Sequence, residues 1–323
     1  MPYLIRVCYD SPGWAYWSRA KALQKYAPDD FEVTTGPDYG RAFKQKKHDL
    51  VLQLPYPYVK PMRNHITKGN YDMVLVAGFN AAWSAEGSWL PGVLKYADHA
   101  IINSQCCWEQ AGKLPKTTWI SNGIDRETFK PTTPAADRKP RVLWCGSRIH
   151  QANKGYHDIL LPMKVELEKR GIAVDLKLTN SHSRRILPPA EMATWYNTGT
   201  IYVCASKHEG TPNPALEAAS CGCVLVSTAV GNMPELIQNG VNGELVERSV
   251  QPIVDAVVRC QDRYAEMAQA MQESIRPWHW KERSRQYFDL FRRLLTARRA
   301  TGDDAQQADD QAHHQPADSA AAN

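Results

Sequence analysis

The feature that most restricts the fold of this 323-residue chain is an alternation of strands and helices that occurs twice. In the first half, short apolar runs separated by helix-like segments begin at residues 4–9 and end at residues 119–121. Residues 130–140 then contain three prolines and few apolar side chains, which is typical of a linker. A second series runs from residues 141–145 to residues 243–246. This pattern predicts an α/β protein with two doubly wound, Rossmann-like domains, each built on a parallel sheet.

Composition narrows the class of protein. A hydrophobic content of 43% and a charged content of 23% describe an ordinary globular chain, and no stretch approaches the length of a membrane span. The first residues read as a strand rather than a signal peptide, so we predict a cytoplasmic protein. The eight cysteines lack metal-ligand spacing, and most sit in apolar runs, so we expect neither a metal site nor a disulfide framework.

Charge is distributed unevenly along the chain. The whole chain carries a net charge of +5, and residues 302–323 contribute −5 of it, which leaves +10 for the rest. A basic body favours an anionic partner. Residues 301–323 are rich in Ala, Gln and Asp and lack aromatic side chains, so we predict a disordered acidic tail there.

Two glutamates eight residues apart provide the strongest functional signal. Glu209 lies in a Gly/Pro-rich turn, and Glu217 lies in the Ala-rich, helix-favouring run that follows. The free N–H groups of a helix start bind anions, and carboxylates one or two turns further on suit sugar hydroxyls. Together they predict a nucleotide-sugar site, although either acid alone also fits a solvated surface position.

Other candidate residues follow predicted strands at the same edge of the second sheet, where ligands bind in open α/β folds. Gly146, Arg148 and Lys154 come after the first strand of this domain, and two cations at a helix start suit a diphosphate. Gly231 and Asn232 open a later helix and offer further backbone amides. Each of these groups, taken singly, also fits an ordinary loop or helix start.

Several motifs occur in a fixed order and together resemble a known family. They are Trp119–Asp125 followed by Phe129-Lys-Pro, the spacing from Gly146 to Lys154-Gly155, Glu209-x7-Glu217-Ala, and Val230-Gly-Asn-x-Pro-Glu235 followed by Asn242-Gly243. In this order they resemble the retaining, GT-B-fold glycosyltransferases often called family 4, or glycosyl transferases group 1. The resemblance covers roughly residues 98–290.

The resemblance implies roles for individual residues. Arg148 and Lys154 would hold the donor diphosphate, Glu217 the ribose hydroxyls, and Glu209 would lie against the transferred sugar. The backbone at Thr211, Pro212, Asn213 and Pro214 would approach the sugar and phosphates, and Gly13 would face the diphosphate from the first domain. No cofactor or metal is expected, because the family is metal-independent and the UDP- or GDP-linked sugar is a co-substrate. Strand ends of the first domain carry no histidine, so catalytic contacts from that side are unassigned.

The resemblance also implies how the chain is divided into domains. Residues 1–130 would form the acceptor-side domain and residues 131–275 the nucleotide-sugar domain. Residues 276–300 would form a helix that returns to brace the first domain, ahead of the acidic tail at 301–323.

The acceptor is suggested only by a basic stretch in the first domain, interleaved with aromatic side chains. Its candidate residues are Arg41, Lys44, Lys46, Lys47, Lys60 and Arg63. Such a stretch suits anionic lipid, phosphorylated glycan or DNA, and an ordinary solvated basic face fits equally well. We therefore expect a lipid-linked or polysaccharide acceptor, with peripheral attachment to the inner membrane face as one option. A DNA glycosyltransferase acting on hydroxymethylated pyrimidines and a non-catalytic nucleotide-sugar-binding module stay as alternatives.

Overall fold

The computed structural model describes residues 1–13, 15–37, 48–79, 89–179 and 187–300, and the backbone of residues 301–312. Within these residues, the first domain is a six-stranded parallel sheet with the order β2-β1-β3-β4-β5-β6. Its strands are β1 Tyr3–Cys8, β2 Phe31–Gly36, β3 Leu50–Gln53, β4 Val74–Phe79, β5 His99–Ile102 and β6 Thr117–Trp119. Its helices are α1 Ala15–Lys25, α2 Val59–Lys68, α3 Trp89–Leu94 and α4 Gln105–Gln110. The central strands β3 and β4 are buried along their whole length, as expected for a sheet covered on both faces.

The second domain contains, among the described residues, a five-stranded parallel sheet with the order β11-β10-β9-β7-β8. Its strands are β7 Arg141–Ser147, β8 Ala173–Thr179, β9 Ile201–Cys204, β10 Val224–Ser227 and β11 Gly243–Leu245. Its helices are α5 Gln151–Lys154, α6 Leu161–Lys169, α7 Pro189–Tyr196, α8 Asn213–Ser220, α9 Met233–Leu236, α10 Val250–Asp262 and α11 Tyr264–Ile275. The predicted pair of doubly wound sheets is confirmed.

The proline-rich segment between the two sheets is anchored rather than loose. Arg138 is buried there, and its guanidinium donates to the side chain of Asn197 and to the carbonyl oxygens of Gly199 and Cys221. These contacts tie the end of the segment to the second domain.

Local structure differs from the sequence pattern in two places. Apolar runs do not mark β2, an edge strand whose outer residues are partly exposed. Apolar spacing predicts one helix over about residues 253–275, but the backbone of Arg263 leaves the helical region before α11 begins. The sequence also predicts a helix over about residues 156–170 that is interrupted or bent at Pro162, and Pro162 lies in the first turn of α6, directly after a π-helical turn at Tyr156–Leu160.

The last helix, α12, spans Trp280–Ala312 and returns to the first domain. Tyr287, Phe288 and Phe291 are buried in the core cluster that also contains the β1 residue Ile5. The predicted returning helix is therefore present. Its backbone continues through residues 301–312, where the sequence predicted disorder, because Ala and Gln favour helix. Residues 313–323 of the predicted tail lie outside the described residues.

The return segment also joins the two cores. Trp278 packs in a core cluster of the second domain, whereas Trp280 packs in the core of the first. Between them, the backbone of Ile124 bonds to both tryptophans, at 2.8 Å to the carbonyl oxygen of Trp278 and at 3.1 Å from the amide of Trp280. No helix in the described part of the chain has the length and apolar character needed to cross a membrane.

Candidate active site

Three neighbouring strands of the second sheet deliver the candidate residues to one edge. Strands β10, β9 and β7 are adjacent and parallel, so their carboxyl ends lie side by side. Gly146 is the next-to-last residue of β7, the Glu209 loop follows β9, and Gly231 follows β10. The topology therefore places the predicted motifs near one another, as open α/β sheets do with their ligand sites.

A cleft of about 560 Å³ opens between the two domains at this edge. The predicted site residues on its wall are Gly13, Gly146, Asn213, Pro214 and Glu217. Asn122 and the first turns of α1 line the opposite side. Gly13 has a φ of +85°, a conformation that favours glycine, and a Cβ there would meet no neighbouring atom within 4 Å.

Glu217 is the buried acid of this cleft, with 7% of its surface exposed. It lies in the second turn of α8, and the hydroxyl of Tyr196 donates to its Oε2 at 3.0 Å. Burial raises the pKa of Tyr196 well above its usual value, so this hydroxyl keeps its proton and remains a donor. A carboxylate accepts several hydrogen bonds, which suits Glu217 to a ligand that presents hydroxyls.

Lys154 and Glu209 form an ion pair that is mostly shielded from solvent. The Lys154 ammonium at the end of α5 donates to Glu209 Oε1, and Ser206 Oγ donates to the same oxygen at 2.8 Å. Burial alone would lower the pKa of Lys154, but the adjacent Glu209 carboxylate raises it above its usual value. The ammonium therefore stays charged, and two of its three hydrogens remain for other acceptors.

Cys145 lines the cleft near this pair. Its thiol lies within electrostatic reach of both Lys154 and Glu217. Burial raises the pKa of the Cys145 thiol to about 11, so it stays protonated near neutral pH and is not a thiolate nucleophile. Lys154 and Glu209 are not themselves among the residues that line the cleft.

Arg148 is placed differently from Lys154. It lies on a short 3₁₀ turn, Arg148–His150, with an exposed side chain that makes no hydrogen bond with the described residues. The neighbouring Ile149 and His150 line the cleft instead. The predicted pairing of Arg148 with Lys154 at a diphosphate stays a prediction.

Thr211 and Asn232 form a buried hydrogen-bonded cluster with Asn103 of the first domain. The hydroxyl of Thr211 accepts from Asn103 Nδ2 at 3.1 Å and from Asn232 Nδ2 at 3.2 Å, and all three side chains are buried. Pro212, which follows, precedes the first residue of α8. The side chain of Thr211 therefore links the two domains, and Asn232 supports it from within the second domain.

Gly231 shapes the same loop. Its φ is +53°, and a Cβ on it would lie 2.3 Å from the carbonyl oxygen of Gly210. Gly210 is the residue after Glu209, so the close approach of the two loops fixes where Glu209 stands.

Two residues that the sequence did not single out as site residues join the domains. Asn122 is buried on the cleft wall. Glu235 of α9 accepts from the backbone amide of Gln105 at 2.6 Å and from the hydroxyl of Ser121, both in the first domain. Burial raises the pKa of Glu235. Both residues lie in the motifs named in the sequence analysis. Spacing along the chain does not indicate the partners of Glu235, because they lie more than 100 residues away.

The basic stretch is only partly described. Arg63 donates to Asp98 Oδ2 and to the carbonyl oxygen of Tyr96, each at 2.7 Å, and Lys60 lies 5.5 Å from the ring centre of Tyr96. Arg63 is thus engaged within the first domain, and its predicted acceptor-side role stays a prediction. The remaining predicted cations, Arg41, Lys44, Lys46 and Lys47, lie outside the described residues.

Metal-ligating side chains are scattered through the described residues. Across the described ranges, no group of three or more His, Cys, Asp or Glu side chains could hold a metal ion.

Comparison with known proteins agrees with this architecture. Residues 139–263 match the family described as "Glycosyl transferases group 1". A D-inositol 3-phosphate glycosyltransferase of Frankia alni is 29% identical over 202 residues, covering 51% of this chain and 46% of that protein. An alpha-maltose-1-phosphate synthase of Mycobacterium tuberculosis is 27% identical over 230 residues, covering 54% of this chain and 56% of the synthase. The matches thus span about half the length of these relatives.

Solved structures give the same fold. A sucrose-phosphate synthase from Thermosynechococcus elongatus superimposes with a TM-score of 0.69 at 15% identity, covering 92% of this chain and 100% of that one. Anabaena Alr3699/HepE in complex with UDP-glucose gives 0.66 at 16% identity, covering 90% and 99%. At these low sequence identities, the likeness shows the fold alone. The chain therefore has the GT-B fold, and residues 139–263 of its second domain match the glycosyl transferases group 1 family.

Proposed function

We propose that this protein transfers a sugar from a nucleoside-diphosphate sugar to an acceptor hydroxyl, with retention of configuration. The observation that carries the proposal is the buried Glu217 carboxylate on the cleft wall, one turn into the helix α8. Its carboxylate oxygens suit the two hydroxyls of a ribose, and the start of α8 suits a phosphate. The relative HepE was solved with UDP-glucose, which supports this class of donor.

The Lys154–Glu209 ion pair suits the departing diphosphate. As the bond between sugar C1 and the phosphate oxygen breaks, negative charge gathers on the diphosphate. The Lys154 ammonium, held by Glu209, would stabilise that charge, and preorganised groups of this kind contribute strongly to catalysis. The acceptor oxygen forms the new bond to C1 on the same face, and its proton passes to the departing phosphate oxygen. Glu209 would meanwhile accept a hydrogen bond from the transferred sugar.

Positive charge for this reaction is available from the chain itself. Lys154 is charged, and Arg148 is exposed near the cleft residues Ile149 and His150. We therefore propose that turnover needs no divalent metal, so that activity should persist in the presence of a chelator.

For the acceptor we propose a carbohydrate hydroxyl, either on a lipid-linked or on a polysaccharide chain. The names of the relatives, an inositol 3-phosphate glycosyltransferase and a maltose-1-phosphate synthase, support carbohydrate-like acceptors. The DNA alternative has no such support from the names of these relatives. The predicted cytoplasmic location stays a prediction.

The donor site can be tested by calorimetric titration with UDP, GDP and ADP. We expect saturable, one-site binding of one of the three, weakened about tenfold or more in Glu217→Gln, because hydrogen bonds to a charged group contribute ~1.5–3 kcal/mol. Glu168→Gln on α6 is the matched control, since Glu168 is exposed and pairs with Lys164. Equal affinity of Glu217→Gln and wild type would contradict the assignment.

A further inference from the structure

A chain of three polar side chains crosses from the first domain to the start of α8. Arg19 of α1, which has no exposed surface, donates through Nη2 to Oδ1 of Asn122. Asn122, with 3% of its surface exposed, donates through Nδ2 to Oδ1 of Asn213 at 3.4 Å. Asn213 is the first residue of α8, and both asparagines line the cleft.

The chemistry of arginine fixes the direction of this chain. A guanidinium only donates hydrogen bonds, so the oxygen of the Asn122 amide must face Arg19. The nitrogen of that amide then faces Asn213, and Asn213 must present its own oxygen to it. The orientation of both amides follows from the hydrogen-bond partners, which is the only sound way to assign an asparagine.

The remaining group is the amide nitrogen of Asn213. Nδ2 of Asn213 makes no hydrogen bond with the described residues, and the side chain is only half-buried. It stands at a helix N-terminus, where backbone N–H groups and the helix dipole already favour negative charge. An NH₂ group held toward the cleft adds a donor, whereas the reversed amide would turn an oxygen toward the same anion.

We propose that Asn213 binds a phosphate oxygen of the nucleotide sugar through Nδ2, and that Arg19 and Asn122 are positioning residues that hold this amide in the productive orientation. The inference rests on the proposed donor site and adds a specificity-determining contact to it. The ligand class is an anionic diphosphate, because a donor-only group at a helix start selects an acceptor-only partner.

A double-mutant cycle tests the orientation directly. In Asn122→Asp the carboxylate still accepts from Arg19 but donates nothing, so the Asn213 amide turns over to donate to it. Whichever of UDP, GDP and ADP the wild type binds most tightly should bind Asn122→Asp and Asn213→Ala each about tenfold more weakly. The double variant Asn122→Asp/Asn213→Ala should bind no more weakly than Asn213→Ala, since no amide is left to reverse.

The same cycle distinguishes a reversed Asn213 amide from electrostatic repulsion by the new carboxylate at position 122. If the new carboxylate at position 122 merely repels the ligand, its effect persists in the Asn213→Ala background and the two losses multiply to about a hundredfold. That result, or wild-type affinity in Asn122→Asp, overturns the inference while leaving the donor site standing. Absence of binding by the wild type to all three nucleotides overturns the proposed function and this inference together.

Asn213→Asp provides a second test that does not depend on altering the buried Asn122. Aspartate at a helix start favours the helix and still accepts from Asn122, so we expect an unchanged or higher melting temperature. Nucleotide affinity should nevertheless fall more than in Asn213→Ala, because neither side chain donates to a phosphate and the carboxylate also repels it. If Asn213 served structure alone, Asn213→Ala would bind nucleotide like the wild type, which would overturn the proposal.

Discussion

Gly231 lies at the point where two ligand loops of the second domain come closest. A Cβ added at this residue would lie 2.3 Å from the carbonyl oxygen of Gly210, and φ is +53°. Gly231→Ala should therefore lower the free energy of unfolding by about 2–4 kcal/mol, through left-handed strain and overlap with backbone. Urea unfolding monitored by circular dichroism measures it.

The matched control for this change is Gly171→Ala. Gly171 has a similar φ of +76°, but a Cβ there would meet no atom within 4 Å. Gly171→Ala should lower the free energy of unfolding by about 1 kcal/mol, because only the left-handed strain contributes. Equal losses in the two variants would show that the contact between the Gly231 and Gly210 loops is unimportant.

Single residues also show what a sequence can and cannot predict about a site. The positions of Gly146, Asn213 and Glu217 on one cleft wall follow from strand ends and helix starts, which are local features. The partners of Lys154 and Thr211 do not follow, because each is more than 50 residues away along the chain. Spacing places a side chain at an edge of a sheet, and only the packed structure decides which neighbour it meets.

Among the elements, α12 does most to join the end of the chain to its beginning. Phe291 of α12 is fully buried against the first domain, and Arg292 pairs with Asp30 on the surface above it. Phe291→Ala should lower the free energy of unfolding by about 3–5 kcal/mol, the usual cost of emptying a buried aromatic site. Differential scanning calorimetry compares the variants.

Gln286→Ala is the control on the same helix, because Gln286 is exposed. It should change stability little, since alanine is a good helix former. A Phe291→Ala protein as stable as Gln286→Ala would mean that α12 does not brace the first domain.

The elements themselves were largely predictable, with errors that have physical causes. The buried strands β3 and β4 read as apolar runs, and the helical spacing of Tyr287, Phe288 and Phe291 marks the buried face of α12. The apolar pattern does not predict the edge strand β2, because polar residues interrupt it. The break at Arg263 carries no proline or glycine, so nothing in the local sequence announces it.

Across the whole molecule, Glu235 links the domains and should make stability depend on pH. Burial raises its pKa above the ordinary 4.5, so the folded protein binds this proton more readily than the unfolded chain does. The contribution to stability is then present at low pH and is lost as pH rises through the folded pKa. Glu235→Gln stays uncharged and should lack this loss.

The comparison needs urea unfolding of wild type and Glu235→Gln between about pH 4.5 and 7. Relative to wild type, Glu235→Gln should become more stable as pH rises. Glu273→Gln, which alters an exposed acid on α11, controls for removal of a charge. A constant difference between Glu235→Gln and wild type at every pH would show that the Glu235 carboxyl titrates as it does in the unfolded chain.

The most direct test of the central claim is a mass-resolved transfer assay. The purified protein is given UDP- and GDP-linked sugars with lipid-linked and polysaccharide acceptors, and hydroxymethylcytosine-containing DNA as a competitor. We predict a mass gain of one sugar on a carbohydrate acceptor and release of the nucleoside diphosphate, slowed about 10²–10³-fold in Lys154→Met. Lys169→Met, an exposed lysine on α6, should match the wild type. Nucleotide binding with neither hydrolysis nor transfer would contradict the account and identify a binding module, and unchanged turnover in Lys154→Met would remove the ion pair from the mechanism.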